Sequence, residues 1–234
     1  KGAGASLKTR PDRSTNVKDL MNLRRLLMIC LLAVAVGLVA GCAGSRSEGG
    51  EGWLGLKKPA AVTADGWSYN RHPGQVLRTR HYLIYTTITD AKVLKRLPQV
   101  MEGGYAQYQM FAAAPSDVQR PMNCFIFAHH DQWADFTSRH TGKDAAVYLQ
   151  ITRGGYTIGD WFVSYFVGSN STYSVAAHEG WHQYVARHFK AHLPPFLEEG
   201  TACMFESVRF VDDLPQWDLS VNPNRALGLR YAIE

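Results

Sequence analysis

His178, Glu179 and His182 stand in the stretch YSVAAHEGWHQYVARHF (residues 173–189), two histidines four apart with a carboxylate beside the first. On a helix the two rings lie about 40° apart around the axis and one turn apart along it, so both can reach one ion. Glu179 projects about 100° away from His178, toward a water on such an ion rather than the ion itself. An imidazole pair of this kind suits zinc, which acidifies a water whose proton a neighbouring carboxylate accepts before hydroxide attacks an amide carbonyl. His178 and His182 are therefore candidate metal ligands, zinc is the candidate cofactor, and Glu179 is the candidate general base.

A catalytic zinc site usually takes three protein ligands, and two segments could supply the third. His188 follows His178 by ten residues, the spacing of the metzincin pattern H-E-x-x-H-x-x-G-x-x-H, but Val185 occupies the glycine position that lets the chain leave the helix. If the helix continues, His188 lies about 120° around the axis from His182 and about 9 Å further along it, facing away. The other source is LPPFLEEGTACMFE (193–206). Pro194-Pro195 ends one helix and pre-sets the start of the next. Glu198 and Glu199 are both candidates there, and spacing does not separate them.

Residues 176–206 resemble the gluzincin zinc metallopeptidases, including the uncharacterised gluzincin-like domains of bacterial lipoproteins. Those proteins carry H-E-x-x-H and then a helix reading roughly W-L-x-E-G-x-A-x-x-x-E. Here Phe196-Leu197-Glu198-Glu199-Gly200-Thr201-Ala202 follows, with Glu206 seven residues after Glu199. The resemblance implies Glu199 as the third zinc ligand and Glu206 as a carboxylate supporting a ligand histidine. Glu198 is then a solvated carboxylate at a helix start, favoured by the dipole. The implied activity is hydrolysis of peptide bonds in a peptide or protein substrate. Phe196 replaces the usual Trp, and no G-x-M-E-N motif is present, which argues against binding a substrate's N-terminal amine. Larger gluzincins carry an oxyanion-stabilising Tyr or His several dozen residues later. The chain ends 35 residues after Glu199, so a C-terminally truncated domain is expected, with Tyr231 and Arg230 as the remaining candidates.

The rest of the composition bears on where such a site would work. Hydrophobic residues make up 46% of the chain and aromatics 12%, enough for a packed core. The formal charge of +5 is local: seven of the 25 Lys/Arg and two of the 20 Asp/Glu fall in residues 1–41, leaving eighteen of each beyond. With no concentrated basic footprint, no nucleic-acid partner is expected. Residues 21–41 read as a secretory signal: Arg24-Arg25, an apolar run from Leu26 to Ala40, then small residues. The end, Val39-Ala40-Gly41-Cys42, resembles the bacterial lipobox. Cys42 is thus the candidate lipidation site, the lipid bilayer a partner, and the bacterial cell envelope the expected, extracytoplasmic location. Residues 1–20 read as an upstream extension outside the fold, and 42–74, rich in Gly, Ser, Lys and Pro, as a flexible tether. Cys124 and Cys203 remain in the folded part and are expected as two separate thiols.

The folded domain is expected over 75–234. Strands are expected at 81–87 and 122–128, with one or two more over 154–168. Helices are expected over 91–114, with Pro98 and Gly103-Gly104 threatening a kink, over 130–140, around the histidine motif, and from about Phe196 to Val208. Strands first and helices last give an α+β fold. The resemblance refines this to a zincin-like arrangement, a small mixed sheet with the motif helix and a following Glu-bearing helix. WFVSYFVG (161–168) is a candidate edge strand for an extended peptide, and His129, His130 and His140 are expected at the surface. The competing functional reading is a zinc-binding but catalytically inactive envelope lipoprotein with a binding or assembly role. A metzincin-like site using His188 is the third.

Overall fold

The computed structural model of the protein describes residues 54–114, 120–191, 193–218, 222 and 225. The signal-like segment, Cys42, Arg230 and Tyr231 lie outside the described residues. After β1 (Leu54–Gly55), strands β2 (Thr63–Tyr69) and β3 (His72–Arg78) form a hairpin. Its two turn residues, Asn70 and Arg71, have φ of 46° and 69°, the left-handed backbone that two-residue hairpins require. Then come β4 (Tyr82–Thr86), α1 (Ala91–Phe111), β5 (Met122–Phe127), α2 (His130–His140), a 3₁₀ turn (Gly142–Asp144) and α3 (Ala145–Tyr148). β6 (Gly155–Ile158), β7 (Trp161–Tyr165), α4 (Ser169–His188), α5 (Pro195–Met204), β8 (Val208–Val211) and β9 (Leu214–Trp217) complete the order.

The fold is α+β. Six strands form one mixed sheet in the order β2-β3-β4-β5-β7-β6, with β4, β5 and β7 parallel and the remaining pairs antiparallel. A separate three-stranded antiparallel sheet runs β1-β9-β8. α1 and α4 pack on each other and close the main core, where Ile84, Leu97, Cys124, Phe162, Ala176 and Tyr184 are all fully buried. A second, aromatic cluster of Phe127, Trp133, Phe136, Tyr156, Val163 and Tyr165 joins α2 to strands of the sheet.

Three expectations need correction. The sheet begins before residue 75: 63–69 and 72–74, read as part of the tether, belong to strands 63–69 and 72–78, which pair along their whole length and continue into β4. The exposed pattern of β2 hides it from hydrophobic periodicity. The last helix stops at Met204, and Val208 opens a strand instead. Finally, 161–165 is an interior strand; the edge is β6, because strand order depends on long-range pairing that local pattern does not contain. α2 spans the expected residues, and α1 runs through Pro98 and both glycines as a single helix. Its start is fixed by Asp90, whose side chain accepts from the Val93 amide at 2.9 Å. Cys124 and Cys203 are separate free thiols, as expected.

The contact between α1 and α4 sets the position of the histidine motif. Tyr108, fully buried, donates to the carbonyl of Ala177 at 2.5 Å. A Cβ on Gly180 would meet that same hydroxyl at 2.7 Å, so the first variable residue of the motif must be glycine for α1 to approach this closely. On the other side of α1, a Cβ on Gly103 would meet the Trp217 ring at 2.8 Å. Trp217 is fully buried and donates its Nε1 hydrogen to the Phe205 carbonyl at 2.9 Å, tying the small sheet to the end of α5.

α1 also carries a buried polar pair. Glu102 accepts from the His81 amide at 2.8 Å and contacts His81 Nδ1 at 2.7 Å, while the His81 ring stacks on Tyr105 at 3.8 Å. Burial would raise the Glu102 carboxyl, but the hydrogen bonds from His81 and Thr79 more than offset it and hold it below its ordinary value. A depressed carboxylate contributes stability above its unfolded pKa and loses it as pH falls through the folded one. Glu102→Ala is expected to cost ~3 kcal/mol in denaturant unfolding at neutral pH. That deficit should shrink as the pH drops below the ordinary carboxylate range; an unchanged deficit there would contradict the assignment.

Candidate metal centre

α4 has its buried side (Ala176, Ala177, Gly180, Trp181, Tyr184, Val185) against α1 and the sheet, leaving His178 and His182 on the side that faces α5. The helix ends where Phe189 turns extended (φ −120°, ψ 136°), and Pro195 sits in the first turn of α5. The chain thus doubles back and lays α5 against α4, a close approach made possible by the fully buried Ala202.

This reversal brings Glu199 to both histidines. His178 Nε2 and His182 Nε2 are 3.2 Å apart, and the Glu199 carboxylate lies 3.3 Å from the first and 3.4 Å from the second. Ligand bonds of about 2.0–2.1 Å in a tetrahedron put neighbouring donors about 3.3 Å apart; the two Nε2 atoms stand at that spacing, and Glu199 meets them with different oxygens, Oε2 toward His178 and Oε1 toward His182. Of the two adjacent carboxylates, then, it is Glu199 that converges with both Nε2 atoms, as the resemblance implies.

The outer hydrogen bonds fix which nitrogens can donate to an ion. His178 Nδ1 lies 2.8 Å from Glu206 Oε1, and His182 Nδ1 lies 3.1 Å from Glu198 Oε1. An ionised carboxylate only accepts, so each Nδ1 carries the proton and each Nε2 presents a lone pair inward. Two lone pairs and a carboxylate then face one point. A cation at that point would satisfy all three. Glu206 supports His178 as expected, but Glu198 corrects the sequence reading: its side chain is only 18% exposed and holds His182 rather than lying in solvent.

Glu206 is itself clamped. Arg225 donates to it through Nε at 2.9 Å and Nη2 at 2.5 Å, and Asn222 Nδ2 donates at 3.1 Å. Against the upward push of desolvation, His178, Arg225 and Asn222 hold the Glu206 carboxyl at about 2. His178, Cys203 and Glu206 also lie close enough to form a second donor group, but the Glu206 oxygens are already filled by these donors. Burial would lower the His178 pKa, yet Glu206, Glu179 and Glu199 raise it on balance.

Glu179 points to the other side of the ligand cluster. It is 8% exposed, and burial raises its carboxyl above the ordinary range while His178, His182 and Thr157 pull it down. Its Oε2 accepts from the Thr157 hydroxyl at 2.9 Å. Thr157 lies on β6, so the edge strand touches the candidate base directly. The cleft along β6 has two lobes of about 490 and 480 Å³ that share Gly155, His178 and Glu179. Ser171, Arg153 and Arg225 line one lobe; Thr157, Glu198 and Glu199 line the other. Tyr156 also borders the cleft, but its hydroxyl is turned to Thr137 at 3.0 Å.

His188 does not join the cluster. Its Nε2 lies 3.2 Å from the Tyr105 hydroxyl, and its ring packs on Tyr184. Val185, where a metzincin needs glycine, is buried and keeps the helix continuous. Sequence reasoning missed Thr157, Asn222 and Arg225, whose roles come from tertiary approach. It could have found Glu198, since a ligand histidine nearly always donates its other nitrogen to a carboxylate. No family model, curated protein or solved structure matches the chain.

The donor geometry makes a direct prediction. The purified protein is expected to hold about one zinc per chain, lost in His178→Ala, His182→Ala and Glu199→Ala but kept in His188→Ala. Glu198→Gln and Glu206→Gln should weaken zinc affinity roughly 10- to 100-fold, as measured by chelator competition. A His188→Ala protein that loses zinc while Glu199→Ala keeps it would reverse the assignment.

Proposed function

We propose that the chain is a zinc-dependent peptidase with a zincin-like, gluzincin-type site, carried on a lipid-anchored extracytoplasmic protein of the bacterial cell envelope. The observation that carries this reading is the convergence of His178, His182 and Glu199 at 3.2–3.4 Å, with Glu179 one residue from a ligand and in the same cleft. His178, His182 and Glu199 would hold the ion. When bound, zinc supplies Lewis acidity, acidifying water and polarising a carbonyl.

The chain's own groups supply the rest of the chemistry. Glu206 and Glu198 lock the two imidazole tautomers and orient the rings. Glu179 is the only carboxylate in the cluster, among the described residues, that is neither a ligand nor bound to a ligand imidazole. It is therefore free to take a proton from the attacking water and deliver it to the departing amine. A carboxylate raised by burial suits both directions of transfer. The unpaired side of β6 supports an extended peptide as the substrate, because a strand laid along it would gain main-chain hydrogen bonds beside the ligands. A nucleic-acid partner has no counterpart in this cleft, where Glu179, Glu198, Glu199 and Glu206 gather.

Glu179→Gln is expected to keep its zinc and lose roughly 10²- to 10⁴-fold in peptide turnover, read with a broad peptide library and metal analysis on one sample. Retained turnover would sink the proposed base. Wild-type protein that binds zinc but cleaves nothing in the library would favour the inactive, zinc-binding lipoprotein instead.

The anchoring half of the proposal is tested separately. Wild-type precursor expressed in a bacterial host should incorporate labelled palmitate and partition with membranes, and Cys42→Ser should do neither. Equal labelling of both would remove Cys42 as the attachment point.

A further inference from the structure

Thr157 lies on β6, opposite Phe162 in the register with β7. Phe162 is fully buried in the core beneath α1 and α4, so this register position points its side chains toward α4. Tyr156, one residue earlier, points the other way into the aromatic cluster around α2. The Thr157 hydroxyl therefore reaches α4 from the sheet side, at the residue of greatest chemical interest. Its Oγ1 is 2.9 Å from Glu179 Oε2 and 3.1 Å from the Glu179 main-chain carbonyl.

A hydroxyl has one proton to donate, and both acceptors within reach belong to the same residue. The carboxylate oxygen is the nearer of the two and, when ionised, the stronger acceptor, so the proton goes to Oε2. The carboxylate is divided in consequence: Oε2 is engaged by Thr157, and Oε1 makes no protein hydrogen bond among the described residues. The terminal torsion of a glutamate is broad and roughly two-fold, so without a second anchor the carboxylate plane is free to turn. With Oε2 held, one plane is selected.

We propose that Thr157 is a positioning residue that fixes the Glu179 carboxylate and leaves Oε1 as the proton acceptor, an inference that rests on the peptidase reading of the same site. The element that holds the base is also one of the sheet's two edge strands. An extended peptide pairing along β6 orders the same strand whose side chain sets the base. Ground-state pairing needs only the β6 main chain, so the hydroxyl acts on turnover rather than on substrate binding.

Thr157→Val keeps the shape and strand preference of the residue and removes only the donor; Thr157→Ser keeps the donor. In zinc-loaded protein, Thr157→Val should lower kcat about 10²-fold, as expected for a misplaced catalytic group, with KM and zinc content unchanged. Thr157→Ser should recover most of the rate. A Thr157→Val enzyme with wild-type kcat, or one altered only in KM, overturns the proposal. Crystal structures of the zinc-loaded variants provide a second reading that needs no activity. Glu179 should keep one carboxylate orientation in wild type and Thr157→Ser and leave it in Thr157→Val, and an unmoved carboxylate also overturns it. Failure of the peptidase reading is distinct, since it leaves wild type without turnover whatever the crystals show.

Discussion

Each ligand imidazole has one proton to place, and in both rings a carboxylate claims it at Nδ1. The two Nε2 lone pairs are thereby turned on each other across 3.2 Å, with the Glu199 carboxylate closing the third side. With both imidazoles neutral, every group facing that point is an acceptor. Much of the surrounding structure serves to hold it. Arg225 and Asn222 keep Glu206 ionised and aimed, Glu206 keeps His178 in one tautomer, and Glu198 does the same for His182. For the proposed ion, a site pre-arranged to this degree would need little reorganisation.

Precision of this kind needs rigid support, and the support is local to one helix crossing. Tyr108 anchors α4 through the Ala177 carbonyl, directly before His178, and Gly180 clears the space for it within the motif. The other wall of the site is the sheet edge, joined to the same helix through Thr157. His178, Glu179, His182 and the β6 edge are thus referred to α4, and α5 completes the set by folding back at Leu193–Phe196. Those turn residues are exposed, with Phe196 75% accessible, so α5 is held by Ala202, Phe205 and its polar contacts rather than by the turn.

What could be read from the sequence divides along the same line. The placing of His178, Glu179 and His182 on one helix, and the span of α2, follow from spacing within single helices, and they were legible because helical phase is local. Glu199 was separable from Glu198 only by resemblance, because choosing between neighbours requires the rotation of α5 relative to α4. The role of Glu198 was misjudged for that reason: a carboxylate early in a helix is normally solvated, and only the crossing shows it reaching His182. The β2–β3 hairpin was hidden because β2 is largely exposed and offers no alternation to detect. The identity of the edge strand was beyond reach, since β6 lies outside β7 only by virtue of the order in which strands pair.

Charge adds an argument that distance alone does not make. Four carboxylates (Glu179, Glu198, Glu199 and Glu206) surround two imidazoles, and Arg225 is the one arginine salt-bridged to any of them among the described residues. With neutral imidazoles the cluster carries a formal excess of three negative charges. That crowding is part of why Glu199 acts, with burial, to raise the Glu179 carboxyl. The divalent ion proposed for the shared point would cancel two of the three. The same ion would add a further tie between α4 and α5, coupling metal affinity to the packing of the two helices. A monovalent cation or a protonated imidazole would leave most of the excess in place, so the charge count supports the divalent ion proposed above.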